Sequence, residues 1–352
     1  MYDLPCGVFD MNYKKDMAVI RTKTHWGLLI SFVVFLFCLP LILDDYGITM
    51  INFMAISLIS VLGLNIVTGY CGQINVGQAA FMAVGAYTSG ILTHNYGFSF
   101  WVALPCAGFV AAGSGILFGL PSLRLKGFYL AMATLAAQFI IIWVIMRPLM
   151  KLTGGDYGLE VPYATLGGIT FDKSFSSFYL IIPLTLLLIY LAKNIGRMRV
   201  GRAFVAIRDN DLAAEVMGIN IFQYKLLAFA MSSFYAGIAG SLLAHTVGRA
   251  SVDHFNLMES IWVLGMLIVG GMGSTMGAVF GTVFIKVLDE TTLLLTPFIG
   301  SIFPSLSINV TTSMGPIIFS LVVIFFLIYE PRGWAHRWEI FKNYYRLHPF
   351  AY

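Results

Sequence analysis

The sequence predicts an all-α polytopic membrane protein, and three observations predict it. Of the 352 residues, 59% are hydrophobic and 11% are charged, where a soluble domain carries about a quarter charged residues. The apolar residues gather in runs near the ~20 residues that a helix needs to cross a bilayer. Between those runs the basic residues are unevenly shared, so the net charge of +4 says less than its placement.

In chain order the runs are 26–43, 48–68, 76–93, 99–120, 127–146, 176–192, 226–247, 257–271, 274–290 and 310–329, about ten transmembrane helices. The pair 257–290 is short and meets at Gly270, Gly271, Met272 and Gly273, so two spans or one re-entrant pair both fit. Residues 292–309 are apolar enough for an eleventh span, but Pro297 and Pro304 favour an outer interfacial or re-entrant segment. Residues 1–24 are polar, and no small-residue cleavage site follows the first apolar run, so that run is expected to stay as a helix. Cys6, Cys38, Cys71 and Cys106 lie far apart without metal-ligand spacing and read as reduced core residues.

Lys and Arg remain on the cytoplasmic side of short loops. With the N-terminus inside, sixteen of the 21 basic residues fall on inner segments and four on outer ones. The expected organisation is a cytoplasmic extension 1–24, a transmembrane domain 25–330 with a cytoplasmic loop 193–225, and a cytoplasmic tail 331–352. The longest outer loop, 147–175, holds Thr153, Gly154, Gly155, Asp156, Tyr157 and Gly158.

Small residues recur at helical spacing: Gly273, Gly277 and Gly281; Ser233, Gly237 and Ser241; Ala79, Ala83 and Tyr87. Such stripes let helix backbones approach in lipid, either as plain packing or at the border of a moving pathway. The stretch 69–78 is more demanding. Gly72, Gln73, Asn75, Gly77 and Gln78 place polar groups and helix breakers at the start of a span. At membrane depth these must pair or line a cavity, so a translocation path and a tight, satisfied turn both remain open. Lys286 has Asp289 and Glu290 three and four residues on and can pair on its own helix. Glu259 and His245 lie near outer span ends, within expected reach of water. No chain of buried acids or histidines suggests a proton relay. The chain has no GxxxxGK[ST], HExxH or GxSxG pattern, so any ATPase must be another chain.

The loop 193–225 opens with Lys193, Arg197, Arg199 and Arg202, suited to an anionic leaflet. A helix signal follows: Asp209 or Asn210 as cap, Asp211 and Glu215 toward the N-terminal end, Gly218 as stop. A helix over roughly 211–217 is too short to stand alone and needs a docking surface. Leu212 and Val216 share one apolar face, and Phe204 and Ile207 give the preceding turn a similar one. The helix either lies on its own protein or plugs a groove on a soluble partner.

These residues resemble a family. GRAFVAIRDNDLAAEVMGINIFQYKLLAFAMSS is similar to the cytoplasmic loop of LivM-type permease subunits of branched-chain amino acid ABC importers. GYCGQINVGQAAFMAVGAYTSG, LPSLRLKGFYLAMATLA, LTGGDYGL, VGGMGSTMGAVFG and YEPRGW resemble further family segments in the same order. The resemblance implies an ABC importer permease fold in a bacterial or archaeal inner membrane. It implies a second homologous permease, two cytoplasmic ATP-binding subunits holding ATP and Mg, and an external substrate-binding protein; the chain itself binds no cofactor or metal and no nucleic acid. It also implies that Arg202 to Gly218, with Arg208 between, is the coupling helix. Urea, short amides and organic acids are alternative cargoes for such a machine, and an ATP-independent carrier or channel is the alternative of another class.

Overall fold

The computed structural model describes residues 23–123, 125, 127–166, 169–302 and 307–347. Expectations for residues 1–22, with Cys6, and for Arg124, Lys126 and Pro304 lie outside the described residues.

Every expected apolar run carries a helix. These are α1 (Lys23–Cys38), α2 (Asp45–Leu64), α3 (Gln78–His94), α4 (Phe100–Gly119), α5 (Phe128–Met146) and α6 (Ser174–Arg197). The polar loop supplies α7 (Arg199–Asp209) and α8 (Asp211–Val216). Then follow α9 (Ile221–Val247), α10 (Leu257–Gly270), α11 (Thr275–Ile302), α12 (Ser307–Tyr329) and α13 (Gly333–Leu347). Asn220 and Asn256 start α9 and α10 by accepting the N–H of Gln223 and Glu259 at 3.2 and 3.0 Å. Such caps satisfy helix donors that have no partner within the helix. Gly248 at φ +77° ends α9, in a conformation that favours glycine.

Among the described residues, six helices are long and apolar enough to cross a membrane, and a seventh appears if α12 and α13, bent by 47°, count as one. The remaining runs fall short for visible reasons. The α1 run is short, α3 has 17 residues, and α11 carries Lys286, Asp289 and Glu290. The chain is an all-α polytopic membrane protein. Its β-structure among the described residues is small: β1 (Leu159–Glu160) pairs antiparallel with β4 (Arg249–Ala250), and β2 (Thr165–Leu166) with β3 (Ile169–Thr170).

The core forms around α9, which packs on α2, α3 and α4. In the apolar windows of α2 and α9, 78% and 67% of residues are buried, against 33% in α5. The two central helices therefore face protein while α5 faces outward. Gly85 and Gly240 explain the close approach: a Cβ on either would stand 2.6 Å from a backbone carbonyl carbon, of Gly237 and Met82 respectively. A Cβ on Gly237 would meet the Ala107 carbonyl of α4 at 2.8 Å.

Several expectations change. The segment 292–302 is no separate unit, because α11 runs continuously through Pro297 to Ile302. The pair 257–290 is two helices joined by a turn at 271–274. Glu290 accepts from the Tyr46 hydroxyl of α2, on another helix, while Asp289 stays within electrostatic reach of Lys286. His245 is buried rather than wetted. Its Nε2 lies 2.7 Å from Ser89 Oγ and its Nδ1 2.7 Å from the Pro162 carbonyl, which clamps the 147–175 loop to the core. Cys71 is buried, but Cys38 is exposed on α1 and does not belong to the core.

Candidate functional site

The motif in the loop 193–225 folds as two helices rather than one. The break is at Asn210, whose backbone is extended (φ −160°, ψ 107°) and whose Oδ1 accepts the Ala213 N–H at 3.1 Å. Asn210, of the two candidates, is the cap. Gly218 at φ +85° follows the helix as its stop. Phe204 and Ile207 do not continue the face of Leu212. Both are buried in the core and anchor α7 to its own protein. Leu212, Val216 and Met217, by contrast, are 68%, 87% and 82% exposed. Asp211 lies 4.0 Å from the buried Lys225 ammonium, which ties the start of α8 to α9. Arg202 reaches back to the Arg197 carbonyl at 3.1 Å, and Glu215 is exposed. An apolar tip on an anchored stem results.

The stem connects to the break between α2 and α3. The α2 helix ends in a π-helical turn, Asn65–Tyr70, a feature that often marks functional sites. Arg208 donates to the Gly69 carbonyl at 3.0 Å and to Asp209 at 3.1 Å. Gly72, at φ +71°, has no room for a side chain, since a Cβ would lie 2.7 Å from Arg208 Cγ. Asn65 Oδ1 accepts the Gly273 N–H at 2.8 Å. Gly273 is thus a turn residue at φ +81°, not part of the packing stripe. Gly277 and Gly281 do pack: a Cβ on Gly277 would meet the Gly270 carbonyl at 2.7 Å, and one on Gly281 would meet Gly270 Cα at 2.8 Å. Together these turns, Arg208 and the start of α13 line a cleft of about 630 Å³, with Arg332, His336 and Glu339 on its far wall.

Residues 71–77 are non-helical and return the chain from this cleft to the middle of α9, where α3 begins. Gln78 donates to the Ser60 carbonyl at 3.1 Å and accepts from Asn75 Nδ2 at 3.0 Å and Ser232 Oγ at 3.2 Å. Asn75 Oδ1 accepts the Gly77 N–H. Three backbone donors at the helix start go to other spans: Val76 N–H to Thr134, Ala79 N–H to Ser260 and Ala80 N–H to Gln138, at 2.8–3.0 Å. Gln138 also donates to the Phe255 carbonyl at 2.8 Å. The break is therefore a helix start buried in the core whose polar groups are matched across four other helices. Gln73 differs, because its Oε1 is buried without a partner.

Thr153, Gly154 and Gly155 are not near this junction but sit in the 147–175 loop. Thr153 is buried and donates to the Ile145 carbonyl at 2.8 Å, and both glycines have positive φ. The structure thus joins Gly72 to the loop stem, sets Asn75, Gly77 and Gln78 in the core, and leaves the triplet 153–155 apart. Thr134, Gln138 and Ser260 were missed in the sequence. Their signal was isolation, as single polar residues in apolar runs at membrane depth.

Residues 47–329 match the model of the family described as "Branched-chain amino acid transport system / permease component". The chain belongs to this family of permease components. A LivM permease protein of Salmonella typhimurium is 34% identical over 299 residues, covering 78% of this chain and 69% of the relative, and that of Escherichia coli K12 is 33% identical over the same shares. A guanosine ABC transporter permease protein, NupQ of Bacillus subtilis, is 22% identical over 272 residues, or 72% and 82% of the two chains. No solved structure matches. The permease match takes in the α2–α3 break, the loop with α7 and α8 and the 271–274 turn, and stops before α13.

Proposed function

We propose that this permease component is one of two homologous membrane subunits of an ATP-driven importer for branched-chain or related hydrophobic amino acids. It crosses an inner membrane about ten times, with both termini and residues 193–225 cytoplasmic. Two ATP-binding subunits drive it, and an external binding protein delivers substrate. The α7–α8 unit is its coupling element.

The observation that carries this reading is the contrast within one short loop. Phe204 and Ile207 are buried, while Leu212, Val216 and Met217 are exposed on a two-turn helix placed by its own cap. Exposed apolar residues on a charged face mark a protein contact. The stem runs through Arg208 into the break between two spans, so force on the tip reaches the membrane domain. The family relationship supports the amino-acid cargo, and the guanosine relative keeps other small solutes as the second reading.

The test is co-reconstitution with the partner subunits. Leu212→Asp or Val216→Asp should reduce substrate-stimulated ATP hydrolysis and uptake at least tenfold while membrane insertion is unchanged. Unaltered coupling in both variants would refute the role of α8. Uptake by this chain alone, without ATPase subunits, would establish an ATP-independent carrier instead.

A further inference from the structure

The helix α13 has two working faces. Ala335, His336 and Glu339 look into the cleft beside Arg208. Trp334, Trp338 and Phe341, at i, i+4 and i+7, look the other way onto α11. Trp334 lies 5.1 Å from Phe284, and Trp338 lies 5.9 Å from both Phe280 and Phe341, between ring centroids. Between these rings runs a groove of about 400 Å³, lined by Phe280, Trp334, Arg337, Trp338 and Phe341. Trp338 and Phe341 remain 49% and 61% exposed, so the groove is open to its surroundings. The Arg337 guanidinium is already engaged by Glu330.

A basic cluster adjoins this groove. Lys342, next to Phe341 and one turn beyond Trp338 on α13, comes within electrostatic range of Lys193, near the end of α6. Like charges brought together repel, and an anion among them lowers that cost. The aromatic groove excludes a purely ionic ligand, while the lysines exclude a purely apolar one. An anionic headgroup on acyl chains satisfies both, at the depth where Trp and Lys side chains meet a leaflet.

We propose that the groove between α11 and α13, together with Lys193 and Lys342, binds an anionic phospholipid of the cytoplasmic leaflet. The leaflet rests on the orientation given under the proposed function; the lipid preference does not. Because the opposite face of α13 lines the Arg208 cleft, the bound lipid also holds one wall of that cleft.

The full chain in nanodiscs provides the test, with tryptophan quenching by brominated phosphatidylglycerol against brominated phosphatidylcholine. Phosphatidylglycerol should reach half-maximal quenching at a several-fold lower mole fraction. Lys193→Gln with Lys342→Gln should collapse its curve onto that of phosphatidylcholine, and Trp334→Phe with Trp338→Phe should remove the difference. Should the double lysine variant not elute as a single species, Lys342→Gln alone, at an exposed position, should reduce the preference by part. Equal quenching by the two lipids, or a preference that survives loss of the lysines, would overturn the proposal. So would loss of the preference in excess inorganic phosphate, which would identify a soluble-anion site. No partner chain or ATP enters the measurement, so its failure is distinct from failure of the importer reading.

Discussion

Two helix starts in this protein solve the same problem in opposite ways. The first residues of α3 and of α8 each leave backbone donors without partners inside the helix. At α3 those donors are met by Thr134, Gln138 and Ser260 from other spans. At α8 the neighbouring Asn210 does the work, and the side chains beyond it stay exposed. A start satisfied by distant residues locks a core. A start satisfied by its own cap leaves a surface free for something else. Burial at membrane depth and exposure in a charged loop make the difference.

The comparison can be broken in graded steps. Gln138→Leu leaves the Ala80 N–H and the Phe255 carbonyl without their partner in a dry environment. A loss of about 3 kcal/mol is expected, seen as a lower unfolding temperature in detergent. A neutral result would mean that the α3 start is less dependent on its neighbours than its geometry implies. Asp211→Asn removes the carboxylate beside buried Lys225 and should cost about 2 kcal/mol, since an unpaired buried charge is expensive. Pairing it with Lys225→Met should restore most of that loss; failure to do so would show that Asp211 acts through α8 rather than through Lys225. Asn210→Ala should cost about 1 kcal/mol through the lost cap, with local unfolding at 211–216 detectable by hydrogen exchange. Val216→Ser, at a position 87% exposed, should alter stability by less than about 0.5 kcal/mol yet weaken ATPase coupling. A variant that lowers both together would erase the distinction between core and tip.

The sequence made the helices legible because apolar runs, glycine stops and asparagine caps are local signals. The α8 tip was legible for the same reason: Asn210, Leu212, Val216 and Gly218 lie within nine residues. The α3 junction was only half legible. Gln73, Asn75 and Gln78 announced polar groups at depth, but the Gln78 partners Ser60 and Ser232 are 18 and 154 residues away, and no spacing rule connects them. Phe204 and Ile207 read as a face similar to that of Leu212 and Val216, because a short amphipathic pattern does not say which apolar face meets its own core. Gly273 was assigned to a packing stripe because it shares the spacing of Gly277 and Gly281. Its role as a turn depends on Asn65, which only the fold brings near.

The glycine contacts among α3, α4 and α9 have a consequence for motion. Where Gly85, Gly237 and Gly240 bring main chains together, there are no flexible side chains at the seam to take up a shear. Sliding one of these helices along another would drive carbonyl groups into neighbouring backbone, and packed seams of this kind switch rather than deform. The three helices should travel as one slab, and any gating stroke has to be made at the slab's borders: across the 71–77 segment, at the 271–274 turn, and against whatever chain stands beside it in the bilayer.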